Sequence, residues 1–137
     1  APTFMTADAV VIQSGHILLV QRGAAPGEGL WALPGGFVNQ KEHVIDAMVR
    51  ELREETKLKV PAPVIKGSVK AEKLFDKPDR SLRGRTITMA YYVELPAGEL
   101  PPIKGADDAQ DAKWVPLSEV KEEEMFEIFV SQFGAFA

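Results

Sequence analysis

The segment from Gly35 to Leu58, GGFVNQKEHVIDAMVRELREETKL, constrains the fold more than any other part of the chain. It opens on two glycines. Asn39 is followed three residues later by Glu42, a capping-box pattern that predicts a helix beginning near Gln40. Beyond it, apolar residues at helical spacing form one stripe that should pack on the core: Ile45, Met48, Val49 and Leu52. The segment therefore predicts an amphipathic helix that follows a glycine pair.

Three glutamates, Glu51, Glu54 and Glu55, lie together on a flank of this helix, roughly 120° from the centre of the stripe. Each like-charged pair at this spacing costs about 0.2–0.5 kcal/mol, and each anion loses a further ~0.3–1 kcal/mol near the negative C-terminal end of a helix. Arg50 and Arg53 point elsewhere on the helical wheel and offset only part of this. In an arbitrary Glu-rich helix, a solvated acidic face would be the commoner explanation. Here we predict a site for Mg²⁺ or Mn²⁺, which take oxygen ligands.

The fixed positions of this segment follow a known pattern: Gly36, Glu42, Arg50-Glu51-Leu52, Glu54-Glu55 and Leu58. Their spacing resembles the Nudix box. The sequence departs from that box at Lys57, where the family usually carries glycine. Glycine would serve there as a left-handed helix C-cap, and a lysine in that conformation costs about 1 kcal/mol. The departure concerns the end of the helix and leaves the glutamates in place.

The resemblance implies a hydrolase of nucleoside diphosphates linked to another moiety. The metal ligands it implies are the backbone carbonyl of Gly35 and the carboxylates of Glu51, Glu54 and Glu55. Arg50 would match the arginine that holds the acidic cluster in register, so the resemblance makes Arg50 and the three glutamates the catalytic group. For Glu42, a secondary metal role and a simple capping role stay open.

Patterns outside the box predict the remaining elements. Strands are expected at residues 9–12 and 16–20, joined by a tight hairpin at 13–15, then in a β region at 64–74 opened by Pro61 and Pro63, at 86–95, and in a short strand ending at Val115. A helix capped by residues 116–118 and an apolar helix at 125–136 should follow. The order of strands, helix, strands and helix predicts an α/β/α sandwich around a central mixed sheet, which is also the Nudix fold. We expect one domain over residues 1–137.

Composition excludes several classes of protein. The net charge of −4 argues against a nucleic-acid surface, and no apolar run approaches the ~20 residues of a membrane span. The absence of cysteine excludes a disulfide framework and a thiolate nucleophile. We expect a soluble, cytoplasmic protein. Because the chain begins without Met, we also expect it to be excised from a longer polypeptide.

A second group of residues bears on the substrate: Arg80, Arg83 and Arg85, with Phe75 nearby. Guanidinium groups suit pyrophosphate oxygens, and an aromatic ring can stack on a base, although a solvated basic loop is an equal alternative for any one arginine. Arg22, at the end of the first hairpin, is a further candidate for substrate binding. Trp31 would either line the cleft or fill the core.

The sequence FDKPDRSLRGRTIT, followed by GADDA and Trp114, resembles the Nudix domain fused to nicotinamide-mononucleotide adenylyltransferase in bifunctional proteins of NAD metabolism. That resemblance implies ADP-ribose as the substrate, with AMP and ribose 5-phosphate as products. The resemblance is also compatible with a fused adenylyltransferase domain in the full-length chain and with a homodimer. Two alternatives stay open, a nucleoside-triphosphate sanitising enzyme and a non-catalytic ADP-ribose sensor of a regulator.

In this superfamily the base that activates water often comes from outside the box. We therefore expect a further carboxylate to act as this base. We select Asp108, in a loop that precedes Trp114, although Asp107-Asp108 between small residues also suits a turn with an Asx cap. The lesser candidates are Glu72, Asp76 and Glu51.

Overall fold

A computed structural model describes residues 3–23, 28–76, 85–104 and 109–121. Within these ranges the elements, in chain order, are β1 (Phe4–Gln13), β2 (His16–Arg22), β3 (Trp31–Ala32), β4 (Gly35–Phe37), α1 (Val44–Thr56), α2 (Ala62–Gly67), β5 (Val69–Phe75), β6 (Thr86–Glu94), β7 (Ala109–Pro116) and a 3₁₀ turn (Leu117–Glu119). None of the helices in this described part is long and apolar enough to cross a membrane.

The strands form one mixed sheet, as predicted. Its order is β3-β2-β1-β6-β5, with β4 paired to β1 and β7 paired to β2. β1 runs parallel to β6 and antiparallel to both β2 and β4. Along β1 the neighbour on one side changes from β4, opposite residues 6–8, to β2, opposite residues 12–13. β4 therefore lies beside the first half of β1.

The core lies on both faces of the sheet because successive residues of β1 point to opposite sides. On one face, Ala7, Ala9 and Val11 belong to a cluster that includes the buried stripe of α1. On the other face, Val10 packs in a second cluster with residues of β2 and β7. Met48, Val49 and Leu52 are buried and Ile45 is half-buried, so the predicted apolar stripe of α1 is confirmed.

The predicted hairpin between β1 and β2 is confirmed. Gln13 pairs with His16, which leaves Ser14 and Gly15 as a two-residue loop. Both loop residues have positive φ, 48° and 74°, as a type I′ hairpin turn requires. β6 and β7 are confirmed as the predicted strand at 86–95 and the short strand ending near Val115.

The helix of the box begins at Val44, so the prediction that it begins near Gln40 is wrong. The capping pattern does form locally. Glu42 Oε1 accepts the backbone N–H of Asn39 at 2.8 Å, and the Glu42 N–H donates to the Asn39 carbonyl at 3.3 Å. These hydrogen bonds close a turn and not the first turn of a helix.

His43 explains this difference. It is the N-cap of α1 and has extended backbone angles, φ −71° and ψ 152°, with no side-chain capping hydrogen bond. In a continuous helix, Glu42 and Arg50 would lie about 12 Å apart along the axis, because each residue rises 1.5 Å. The extended residue lets the Glu42 carboxylate reach the Arg50 guanidinium instead.

The predicted β region after α1 starts later than expected. Val64 lies in α2, and β5 begins only at Val69. Pro61 is the N-cap of α2 and Pro63 lies in its first turn, where a missing N–H removes no intrahelical hydrogen bond. Ile65 of this helix is buried in the cluster that contains α1. The prolines therefore start a helix, and the strand prediction was wrong for these residues.

A single 3₁₀ turn follows β7 where the sequence predicts a helix capped by residues 116–118. The description of the chain ends at residue 121, so the predicted helix at 125–136 lies outside the described residues. The helices that are described, α1 and α2, contribute to the same cluster on one face of the sheet.

Lys57 ends α1 in the left-handed conformation, with φ 55° and ψ 31°. Its N–H donates to the Arg53 carbonyl at 2.9 Å, the single hydrogen bond of an αL cap. The conformation that glycine would favour is therefore adopted by a lysine.

We predict that Lys57→Gly raises the free energy of unfolding by about 1 kcal/mol, because glycine adopts positive φ without strain. Urea denaturation measures the difference. Lys59→Gly is the matched control, since Lys59 is exposed and its φ is not among the positive ones of the described residues. The control should be neutral or destabilising, and an equal effect of both changes would contradict the prediction.

Candidate active site

Gly35 and Gly36 lie where β4 is enclosed between β1 and α1. A Cβ atom added to Gly35 would overlap the Asp8 carboxylate and lie 2.5 Å from the Ala7 carbonyl oxygen. A Cβ atom added to Gly36 would overlap the Glu51 carboxylate. Both positions therefore require glycine for space, and the two contacts show that Asp8 and Glu51 lie on opposite faces of β4.

Glu51 and Glu55 come from successive turns of α1 and reach this glycine pair. Glu55 Oε1 accepts the Gly35 N–H at 2.7 Å, while the Glu51 carboxylate covers Gly36. The N–H and C=O of one strand residue point to the same side, so the Gly35 carbonyl faces the side from which Glu55 approaches. Two of the three predicted metal-binding carboxylates and the predicted carbonyl ligand are thus brought together.

Glu54 is placed differently. Its side chain is 58% exposed, and its Oε2 lies 3.5 Å from Arg50 Nη1. Among the described residues, no three His, Asp or Glu side chains lie close enough to form a metal site as they stand. The oxygen-only donor set nevertheless suits a hard divalent cation, and the exposed Glu54 can change rotamer without disturbing the core. The residues present therefore fit Mg²⁺ or Mn²⁺.

Arg50 connects the start of the box to its glutamates. Its Nη2 and Nε donate to the two Glu42 oxygens at 2.7 and 3.1 Å, a bidentate contact, and Nη2 also donates to the Phe37 carbonyl at 3.0 Å. Its Nη1 lies 3.6 Å from Glu51 Oε1. The expectation that Arg50 points away from the glutamates was wrong, because its long side chain folds back over them.

The same contacts shift two pKa values. The hydrogen bond from Arg50, followed by the one from the Asn39 N–H, lowers the pKa of Glu42 below its ordinary value of 4.5. The hydrogen bond to Glu42 raises the pKa of Arg50 above its ordinary range, despite partial burial. Glu42 therefore both caps the turn and holds Arg50, while a role near a metal stays a prediction.

We predict that Glu42 stabilises the fold in a pH-dependent way. Because its pKa is lowered on folding, its contribution is complete above its ordinary value of 4.5 and is lost as pH falls through the folded value. The difference in free energy of unfolding between the wild type and Glu42→Gln should therefore be present at neutral pH and shrink in acid. Urea denaturation over a pH series measures it, with the exposed Glu119→Gln as control. A difference that does not change with pH would contradict the prediction.

The predicted substrate residues Phe75 and Arg85 lie at the same end of the sheet as the glycine pair. Phe75 pairs with Thr88, which pairs with Thr6. Thr6 in turn pairs with Phe37 of the box. Close to these paired residues, the Arg85 carbonyl accepts the N–H of Phe4 at 3.1 Å. Arg80, Arg83, Asp107 and Asp108 lie outside the described residues.

Trp31 and Arg22 lie on the neighbouring part of the sheet. Trp31 is half-buried against the second core cluster, and Lys113 Nζ lies 4.2 Å from the centre of its ring. These contacts favour the core role for Trp31 over the cleft role. Arg22 ends β2, and its backbone exchanges hydrogen bonds with Gly29 and Leu30 at 2.8 Å each. The backbone of Arg22 is therefore fixed by the chain that leads to Trp31.

Asp8 is a residue of this region that sequence reasoning did not select. Its carboxylate lies against Gly35, on the side opposite Glu51. The available sequence feature was a lone acid within the apolar run of residues 7–12. Its closeness to the box depends on the pairing of Asp8 with Gly35, which sequence patterns do not provide.

Comparison with known proteins identifies a family and relatives for this chain. A family model described as NUDIX domain matches residues 2–133. The ADP-ribose pyrophosphatase of Methanocaldococcus jannaschii is 37% identical over 111 residues, which are 81% of this chain and 60% of that protein. The chain is therefore shorter than the curated relative it matches.

Comparison with solved structures also finds relatives of this chain. A bifunctional NMN adenylyltransferase/ADP ribose pyrophosphatase from Francisella tularensis, complexed with AMP and a manganese ion, matches with a TM-score of 0.93 and 42% identity over 98% of this chain and 41% of that chain. The NUDIX domain of Shewanella oneidensis NrtR, complexed with ADP ribose, matches with a TM-score of 0.77 and 25% identity over 98% of this chain and 86% of that chain.

Proposed function

The chain belongs to the Nudix family, and from this premise we propose that it hydrolyses the pyrophosphate bond of ADP-ribose to give AMP and ribose 5-phosphate. Family membership confirms the predicted fold, a mixed sheet with helices packed on it. The observation that carries the proposal is the placement of Glu51 and Glu55 on the Gly35–Gly36 backbone. The resemblance to the box makes these carboxylates metal ligands, and their closeness to the glycine pair supports that proposal.

The cofactor proposed is Mg²⁺ or Mn²⁺, held by Glu51, Glu54, Glu55 and the Gly35 carbonyl. Such a cation, when bound, supplies Lewis-acid polarisation of phosphoryl oxygens. A structure of the Francisella relative contains a manganese ion, which supports a divalent cation without selecting between the two.

The chain's own residues would position the reacting groups. Glu55 is oriented by the rigid Gly35 N–H at 2.7 Å, and Arg50 fixes the loop before α1 through Glu42 and the Phe37 carbonyl. Positioning of this kind accounts for much of the catalysis in phosphoryl chemistry. Arg50 would therefore act through the placement of the glutamates and not by contact with substrate.

Substrate binding is proposed for the predicted residues at this end of the sheet. Phe75 and Arg85 lie beside β1 and β6 as described above, and Arg22 lies at the start of the loop that leads to the box. Trp31, predicted for either the cleft or the core, is left out of this proposal because its contacts favour the core. Arg83 and the base Asp108 are retained as proposals from the sequence. ADP-ribose is preferred over other nucleoside diphosphate derivatives because the M. jannaschii and Francisella relatives are ADP-ribose pyrophosphatases.

The decisive experiment incubates the purified chain with ADP-ribose, a panel of other nucleoside diphosphate derivatives and nucleoside triphosphates, each with Mg²⁺ or Mn²⁺. Chromatographic detection of AMP and ribose 5-phosphate from ADP-ribose supports the proposal. Release of pyrophosphate from a triphosphate would favour a sanitising enzyme. Binding of ADP-ribose without turnover would favour a sensor.

We further propose that the domain works in NAD metabolism in the cytoplasm, alongside a nicotinamide-mononucleotide adenylyltransferase that is fused to it in the full-length protein. The support is the 42% identity to the Francisella bifunctional protein. Mass spectrometry of the endogenous protein after subcellular fractionation would measure its length and compartment. Light scattering of the purified chain would test the expected homodimer.

A further inference from the structure

A segment outside the box, residues 101–104, is bonded to the C-terminal end of α1. The Lys104 N–H donates to the carbonyl of Thr56, the last residue of the helix, and the Pro102 carbonyl accepts the N–H of Lys59 at 3.2 Å. Neither hydrogen bond belongs to a strand pairing or to the helix itself. The 101–104 segment is therefore joined to the chain on both sides of the point where the helix ends.

The end of α1 requires such contacts because it carries part of the proposed metal site. The last four carbonyl groups of a helix have no partner within it, and Glu54 and Glu55 lie in this last turn. Thr56 is completely buried, and its Oγ1 donates to the Leu52 carbonyl at 2.7 Å and accepts the Leu58 N–H at 3.2 Å. The helix end is thus held by the Thr56 side chain and by the 101–104 segment.

Trp114 in turn holds the 101–104 segment. Its Nε1–H donates to the Pro101 carbonyl at 3.0 Å, and its half-buried ring packs against the core cluster that contains the stripe of α1. Trp114 lies on β7 opposite the fully buried Leu18 of β2, so its backbone is fixed in the sheet. The ring of Pro101 restricts its φ, which limits the movement of the chain that the indole holds. A continuous set of contacts therefore runs from β7 to the end of α1.

We propose that the 101–104 segment, held by Trp114, positions the last turn of α1 so that Glu55 meets the Gly35 N–H. The proposal rests on the proposed function, which makes Glu55 a metal ligand. Glu55 Oε1 lies 2.7 Å from the Gly35 nitrogen. Hydrogen bonds of this kind extend to about 3.2 Å, so a shift of the helix end by roughly 0.5 Å would weaken the contact. Trp114 is therefore a positioning residue that acts through the helix end and not by contact with the metal.

The first test measures Mn²⁺ binding to the wild-type chain and to Trp114→Phe from the electron paramagnetic resonance signal of free Mn²⁺. Phenylalanine keeps an aromatic ring against the core and removes the N–H that binds the Pro101 carbonyl. We expect the Kd for Mn²⁺ to rise about three- to fivefold, less than the roughly 10- to 100-fold cost of removing a direct partner of a metal ligand. The effect is smaller because Trp114 acts on Glu55 through the backbone.

Amide hydrogen exchange measured by NMR gives a second readout, which needs no metal. In metal-free Trp114→Phe, the amides of Lys104 and Gly35 should exchange faster than in the wild type, and their acceleration should exceed that of the amides between β1 and β6. A merely structural role of the indole would accelerate all of these amides to the same extent. Tyr92→Phe is the matched control, because it also removes a polar hydrogen from an aromatic side chain, one that Glu94 accepts at 3.1 Å, but its ring packs in the second core cluster. This control should leave the Kd for Mn²⁺ and the exchange at Gly35 unchanged.

A wild-type Kd for Mn²⁺ in Trp114→Phe, or an acceleration at Gly35 no greater than that between β1 and β6, would overturn the inference. If urea denaturation shows that Trp114→Phe does not fold, Ile103→Val takes its place, since it trims the contact of the 101–104 segment with the core and should produce smaller changes of the same sign. Failure of the proposed function is a separate result, because it would appear as a wild-type chain that binds no Mn²⁺ or hydrolyses no ADP-ribose. The exchange at Gly35 decides in either case whether the segment positions Glu55.

Discussion

Replacing Glu55 with glutamine is expected to lower the turnover of ADP-ribose by about 10²- to 10³-fold while leaving the fold nearly intact. A bound divalent cation stabilises transition-state charge by several kcal/mol, and each ~1.4 kcal/mol corresponds to a factor of ten in rate. The glutamine oxygen can still accept the Gly35 N–H, which Glu55 Oε1 accepts at 2.7 Å. The change therefore removes a metal-binding charge and retains the local hydrogen bond.

Stability measurements distinguish this loss from unfolding. Without metal, the variant lacks one of two like charges at a four-residue spacing on α1, so its free energy of unfolding should equal or exceed that of the wild type by up to ~0.5 kcal/mol. Glu119→Gln, a change at an exposed residue of the 3₁₀ turn, is the control and should keep full activity. Full Mg²⁺-dependent activity of Glu55→Gln would show that the metal assignment is wrong.

The parts of the site that sequence predicts well are those that depend on local spacing. The stripe of Met48, Val49 and Leu52 and the reach of Glu51 and Glu55 follow from helical periodicity. The start of α1 is different, because the Asn39 and Glu42 pattern is satisfied equally by a turn. The interaction of Glu42 with Arg50 decides between the two, and a pattern that spans four residues does not contain it.

Helical-wheel reasoning also misjudged Arg50. A wheel gives the direction in which a side chain leaves the helix, but it does not describe a side chain long enough to fold back. Arg50 lies within 3.6 Å of oxygen atoms of Glu51 and Glu54, so it offsets more of their repulsion than the wheel indicates. Unfavourable charge is therefore a weaker argument for metal than the geometry at the glycine pair.

Long-range register accounts for the residue that was missed. Asp8 meets Gly35 only because β4 pairs with the first half of β1 in one register. A shift by one residue would move this side chain to the other face. Sequence patterns predict that both strands exist, but they do not specify which residues face each other across the pair.

Replacing Gly36 with alanine should abolish most of the activity with little loss of stability. The new Cβ would occupy the position of the Glu51 carboxylate, which is the end of a flexible side chain and can move away. We expect the kcat for ADP-ribose to fall by on the order of 10²-fold or more, since displacement of a catalytic group by even 1 Å is costly.

Two further glycine changes make this test specific. Gly35→Ala would bring its Cβ within 2.5 Å of the Ala7 carbonyl oxygen and 2.8 Å of the Asp8 Cα. Backbone atoms cannot rotate away, so this change should lower the free energy of unfolding by about 1–3 kcal/mol. Gly67→Ala, at the end of α2 with nothing within 4 Å of the added atom, should preserve both activity and stability. Activity assays with Mg²⁺ and urea denaturation of all three variants are the measurements. Normal kcat in Gly36→Ala would mean that the placement of Glu51 against the glycine is not required for hydrolysis.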